Sequence, residues 1–246
     1  MSLATTSASS NRLLAALPGD VMARLLEDAS NVDLSQGQEI VAPNALPSYV
    51  YFPLDCVLSV QNQAEPHHRV ETASIGNEGF APPCVLNGVP SVTEGLIVQV
   101  GGSALRVGLT TFIAVLRDFP AFRSVLTPYT QQVFSLAAQF SACARVHSVS
   151  QRCASWLMLV DDRMTGGTFG MTHLFMSQLL GVRRSSVSVT NEMLRELGAI
   201  TYRRGRIGIV DRDILGRVSC TCYEIVRRIF GTADRGPGTQ LSPALA

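Results

Sequence analysis

Residues 171–210 constrain this chain most, because two glycines divide them at helix-length intervals. Leu174, Leu179 and Leu180 mark one face of a short helix ending at Gly181, since glycine enters the left-handed backbone region without a Cβ clash. Thr172 is placed to cap that helix at its start. Val187, Met193, Leu194 and Leu197 form the inner face of a second helix, closed by Gly198. Two helices joined by a short turn containing glycine are the sequence form of a helix-turn-helix. Behind them, Ala199–Tyr202 and Ile207–Val210 read as strands around Arg203-Arg204-Gly205-Arg206, a hairpin tip with three arginines.

The charge distribution agrees with a nucleic-acid partner. The chain has 246 residues and a formal net charge of +1, but residues 1–144 hold 6 Arg and 11 acidic residues while residues 145–230 hold 13 Arg and 7 acidic residues. Phosphate contacts supply most non-specific affinity for DNA, so the basic half carries charge where the motif requires it. At 46% hydrophobic and 16% charged, the composition is that of a globular protein with room for two modest domains. No apolar run approaches the ~20 residues a membrane helix requires. The opening MSLATTSASSNR lacks the basic and apolar segments of a secretory signal, so a cytoplasmic protein is expected.

Along the chain, residues 1–10 are small and polar, and a disordered tail is expected. Residues 11–30 have a helical apolar pattern interrupted at Pro18-Gly19. From 37 to 108, short β-rich runs (Ser48–Phe52, Val57–Gln61, Val70–Ile75, Leu96–Val100 and Ala104–Val107) predict an antiparallel sandwich or roll, which with its flanking helices makes a domain over 11–126. Thr127-Pro128 reads as a cap followed by proline at the first position of a long helix over 127–147. On that helix Tyr129, Val133, Leu136, Phe140 and Cys143 recur at spacings of 4, 3, 4 and 3. Such a stripe serves either a seam between two subunits or a helix packed on its own domain. A second domain spans 148–230: a helix from Val149 to Arg163 capped by Ser148, then the two-helix motif, then a last helix from Cys220 to Phe230. Residues 231–246, rich in Gly and Pro, are expected to be disordered.

Possible metal ligands are few in pattern. The six cysteines (Cys56, Cys84, Cys143, Cys153, Cys220 and Cys222) include no CxxC pair. Cys220 and Cys222 read as residues of one helix, where positions two apart diverge. No disulfide framework, metal or other cofactor is therefore expected, and nothing near Cys84 or Cys143 marks a low-pKa thiol. His67, His68 and Glu71 invite a metal site, but adjacent histidines of a strand face opposite ways, and a loop after Pro66 is the simpler reading.

The order of these parts, with the two-helix motif and its basic hairpin, resembles the Crp/Fnr superfamily of bacterial transcription regulators. The resemblance implies an α+β fold: an antiparallel β-roll like a cyclic-nucleotide-binding domain, a long dimerisation helix and a winged helix-turn-helix. It implies a homodimer, paired through Tyr129, Val133, Leu136, Phe140 and Cys143, on a pseudo-palindromic double-stranded DNA operator. RNA polymerase would be a further partner, with no membrane association and no enzymatic activity. By the family's motif, Arg184, Ser185 and Val189 fall at base-reading positions. Arg184 matches the family's arginine, whereas Ser185 and Val189 stand where an acid and a second arginine are usual, implying a different operator. Arg183 and Ser186 match phosphate-holding positions, Thr172 puts a helix amide end near a phosphate, and Arg203, Arg204 and Arg206 of the wing would do likewise.

Family members that bind cyclic nucleotides carry a Gly-Glu pair and then an arginine that grips the cyclic phosphate. Here IGNEGFAPPCVLNGVPSVTEGL supplies Glu78 but no arginine between Arg69 and Arg106, and Pro82-Pro83 stand where a short helix would offer its amides. Cyclic-nucleotide binding is therefore not expected, and the effector is not legible. An N-terminal iron–sulfur cluster lacks cysteines, since none precedes Cys56. Three functions stay open: a DNA-binding regulator, an interaction module that kept the fold but lost DNA, and a metal-dependent enzyme on the roll using His67, His68 and Glu71.

Overall fold

The computed structural model describes residues 8–65, 68–87, 94–164 and 166–231. Residues 1–7 and 232–246 of the expected tails lie outside these, as does His67, but Ala8 is buried in the core. Asn11 caps α1 (Arg12–Ala15), accepting from the Leu13 and Leu14 amides, while its buried amide nitrogen donates to the carbonyls of Pro53 and Gly79. After α2 (Gly19–Leu26) come β1 (Ala29–Leu34), β2 (Glu39–Val41), β3 (Tyr49–Pro53), β4 (Val57–Glu65) and β5 (His68–Ile75). A 3-10 helix (Pro83–Asn87), β6 (Glu94–Val100) and β7 (Gly102–Gly108) complete the roll. Its two antiparallel sheets have the orders β1-β7-β3 and β2-β6-β4-β5.

One strand is not anticipated from the sequence, and two expectations change. The strand β1, with Asn31 and Asp33, has a poor strand composition; pairing with β7 from Ala29↔Val107 to Leu34↔Gly102 imposes it. A short helix does form after Pro82, although Pro83 brings no amide to its first turn. His68 lies in β5, paired with Glu65, rather than in a loop.

Helices α3 (Leu109–Asp118) and α4 (Pro120–Val146) follow. Pro120, not Pro128, occupies the first turn of α4, and Pro128 sits inside the helix. The interior proline is tolerated because Ser124, whose carbonyl loses its partner, lies on the exposed side with it. The expected dimer stripe faces inward. Tyr129 and Leu136 are fully buried, Cys143 is buried, and Val133 and Phe140 are packed against the same core. The Tyr129 hydroxyl donates to the Phe80 carbonyl at 3.1 Å, and its ring lies 5.1 Å from that of Phe80. Tyr129 and Leu136 are thus taken up by the chain's own core, with Val133 and Phe140 half-buried beside them. Phe134 and Val146, 68% and 77% exposed, point the other way.

The helical half contains α5 (Val149–Asp161), β8 (Thr168–Gly170), α6 (His173–Leu180), α7 (Arg184–Glu196), β9 (Ile200–Arg203), β10 (Arg206–Ile209), α8 (Arg212–Val218) and α9 (Cys222–Ile229). Ser148 caps α5 in a reciprocal capping box with Gln151, and Trp156, Leu157 and Leu159 are buried as the pattern predicts. This half docks on the roll through polar joints. Arg163, just past α5, forms a buried ion pair with Glu78 at 2.7 Å and donates to the Ser74 hydroxyl at 2.9 Å. The Trp156 indole donates to Glu71 at 3.0 Å, and Gln99, with its amide nitrogen turned toward Glu71, donates to the same carboxyl at 3.0 Å.

Candidate nucleic-acid interface

The two-helix motif forms where its glycines place it. Thr172 caps α6, accepting from the Phe175 amide at 3.1 Å, and Gly181 ends it with φ 62°. A side chain at Gly181 would be strained by that φ, and its Cβ would lie 3.0 Å from Val70 of β5. The turn of the motif therefore rests directly on the roll. Arg152 of α5 donates to the Leu180 carbonyl at 2.6 Å, satisfying an open end of α6.

Helix α7 buries Val187, Thr190, Asn191 and Leu194 and presents Arg184, Ser185 and Val189 outward, the last 71% exposed. An apolar side chain so exposed on a helix with a buried opposite face suits contact with a thymine methyl. Arg183 is exposed at the helix entrance, and Ser186 is half-buried. Burial, and then the charge of Arg184, push His173 below its ordinary pKa, so its ring is neutral at pH 7. The ring stacks on Tyr202 at 4.3 Å, and Nδ1 lies 2.9 Å from the Ser188 hydroxyl. His173 thus ties α6, α7 and β9 together. Sequence reasoning passed over it, and its place just after the capping Thr172 was the available signal.

The wing is a three-stranded sheet of order β8-β10-β9. Arg203 and Arg206 pair across it, so the tip is only Arg204 and Gly205, both at positive φ (51° and 74°). That is the two-residue turn whose twist suits an antiparallel hairpin. All three wing arginines are exposed. Arg206, however, donates to the Thr168 hydroxyl at 3.1 Å and its carbonyl at 2.6 Å, fastening β8 to the wing. Among the described residues, the guanidiniums of Arg183, Arg184, Arg203 and Arg204 have no hydrogen bond or ion pair to the chain. These four are available for phosphate or base.

The roll's other proposed sites are closed. Glu78 is engaged by Arg163, which fills the space beside Gly76 and Gly79 together with Tyr129. His68 is exposed whereas Glu71 is buried against Trp156, so the pair does not converge.

Residues 151–218 match the Crp-like helix-turn-helix domain. Solved structures share the whole architecture at low identity. A transcriptional regulator assigned to the Crp/Fnr family, from Eubacterium rectale, superposes with TM-score 0.64 at 13% identity over 85% of this chain and 98% of its own. FixK2 from Bradyrhizobium japonicum gives 0.63 at 16% identity over 78% and 98%. A Crp/Fnr-family transcriptional regulator from Thermus thermophilus gives 0.62 at 15% identity over 77% and 97%. No curated protein matches in sequence.

Proposed function

We propose that this chain, with its Crp/Fnr fold and Crp-like helix-turn-helix domain, is a sequence-specific transcription regulator that binds operator DNA as a homodimer without cyclic AMP. One observation carries the reading: the exposed edge Arg183-Arg184-Ser185 with Val189, on a helix whose opposite face is buried, beside a wing with two unengaged arginines. Arg184 reads guanine, Ser185 and Val189 set a different preference at their base pairs, and Arg183, Ser186, Arg203 and Arg204 hold phosphates. Arg206 holds the wing and contributes charge.

Because the Tyr129 face is occupied, the second copy docks on the outer face of α4, where Phe134, Ala138 and Ala142 are exposed at helical spacing and lead to Val146. Two motifs are needed to span a two-fold operator, and small residues let two helices approach closely. Phe134→Glu is expected to yield monomers in analytical ultracentrifugation; unchanged dimers would place the contact elsewhere. Independence from cyclic AMP rests on Glu78, which already has a cationic partner within the chain.

The test is selection of genomic fragments by purified protein at two salt concentrations. Enrichment of a palindrome, with binding that falls steeply with salt, is expected. Arg184→Ala should cost about 1–3 kcal/mol on the operator and far less on random DNA. Equal losses on both would remove Arg184 from base reading, and no binding at low salt would refute the reading.

A further inference from the structure

Four potential ligands that are scattered through the sequence meet at the hinge between α4 and α5. Cys143 and His147 are four residues apart, Cys143 in the last turn of α4 and His147 at its cap, so both project to one side. Cys220 precedes α9 rather than lying within it, and Cys222 opens that helix, so the two thiols converge instead of diverging. One ligand atom from each of the four lies within 4.8 Å of the others. Cys143 Sγ is 3.6 Å from Cys220 Sγ, and Cys222 Sγ is 3.5 Å from His147 Nδ1.

We propose that Cys143, His147, Cys220 and Cys222 form a tetrahedral Zn²⁺ site that fastens the end of the long helix to the last helix of the DNA-binding half. Zinc bonds of ~2.3 Å to sulfur and ~2.0–2.1 Å to nitrogen give tetrahedron edges of roughly 3.8 Å between sulfurs and roughly 3.5 Å between sulfur and nitrogen. The observed separations match both. Four protein ligands with three thiolates are the donor set of a closed structural zinc site, with no open position for substrate.

The surroundings supply what such thiolates require. Ser155 has its hydroxyl 3.0 Å from Cys220 Sγ, and Gln139 donates to Cys222 Sγ at 3.0 Å. Donors to coordinated sulfur orient the ligands and spread their charge. Cys143 and Cys222 also line a cavity of about 390 Å³ between α4, α5, α6 and β5, which gives the ion a way in. On binding, the three thiols release their protons to solvent and the neutral imidazole lends a lone pair, leaving a complex of net charge −1.

The experiment uses the full chain, purified and kept under reducing conditions, with metal content measured by mass spectrometry and Co²⁺ titrated into the metal-free protein. One zinc per chain is expected, with the intense visible bands of tetrahedral cobalt and a near-ultraviolet thiolate-to-cobalt band. Gln139→Leu should weaken metal affinity about 10–100-fold. Cys143→Ser and Cys220→Ser should lose the stoichiometric site, and Cys56→Ser, buried elsewhere, should keep it. A wild-type protein that binds neither ion stoichiometrically overturns the proposal without recourse to variants. So does a thiolate-to-cobalt band that survives Cys143→Ser with Cys222→Ser. None of these readouts depends on DNA binding.

Discussion

Glu71 on β5 and Glu78 in the turn after it are both buried, and both reach from the roll to the helical half, one to Trp156 and the other to Arg163. Their acidities move in opposite directions. Burial pushes the Glu71 carboxyl up to about 7, only partly offset by the Ser59 hydroxyl, the Trp156 indole and more distant Arg163. Burial pushes Glu78 up as well, but the Arg163 charge and its two-pronged hydrogen bonds, with the Gly76 amide, more than reverse it. Desolvation is common to the two sites, so the partner decides which form each glutamate holds. One joint is a closed ion pair. The other is a carboxyl that keeps its proton near neutrality.

The ion pair gives the largest expected effect. Arg163→Met strands a buried carboxylate and should cost about 3–5 kcal/mol in denaturant unfolding. Adding Glu78→Leu should restore most of that, because the pair's net contribution is smaller than the cost of halving it. A loss below ~1 kcal/mol for Arg163→Met alone would show that Glu78 simply takes up a proton, erasing the contrast.

The second effect is pH dependence. Glu71 rises from an ordinary 4.5 to about 7 on folding, so the folded chain holds a proton the unfolded chain has lost. Stability should therefore fall as pH rises through that window, by up to about 1.4 kcal/mol per pH unit, and level off above it. Glu78 works in the opposite sense. Its stabilisation is present above its ordinary 4.5 and is lost on acidification below that. Trp156 is the sequence's one tryptophan, so its fluorescence follows the joint directly. Glu71→Gln should flatten the neutral slope and leave the acid limb intact. A slope unchanged in Glu71→Gln would assign it to another group.

The smallest effect should come from Trp156→Phe, about 1 kcal/mol in thermal unfolding, since Gln99 still donates to Glu71. A loss as large as that of Arg163→Met would mean that the two joints are alike in strength.

The motif was the most legible part of the sequence, because its signals are local. Gly181 and Gly198 end their helices at positive φ, and Thr172 and Ser148 cap theirs. The α4 stripe was legible as apolar but not as to its occupant, since periodicity identifies a face and not what covers it. Tyr129 and Leu136 turn out to cover the roll. Arg163 and Glu78 meet across 85 positions, and no local pattern announces such a pair. The cysteine cluster was hidden by one misplaced helix start: beginning α9 at Cys222 instead of Cys220 turns two diverging thiols into converging ones.

Strand β5 is the last strand of its sheet, and α4 and α6 pack against it, covering the stretch from Glu71 to Ile75. An outermost strand offers a row of unpaired amides and carbonyls to any other chain. The docked helices therefore serve as a guard rail against unwanted strand-to-strand adhesion. Any state in which the helical half swings free bares that row. Loosening the joints at Glu71 or Glu78 should thus make the protein stickier in solution before it makes it unfold.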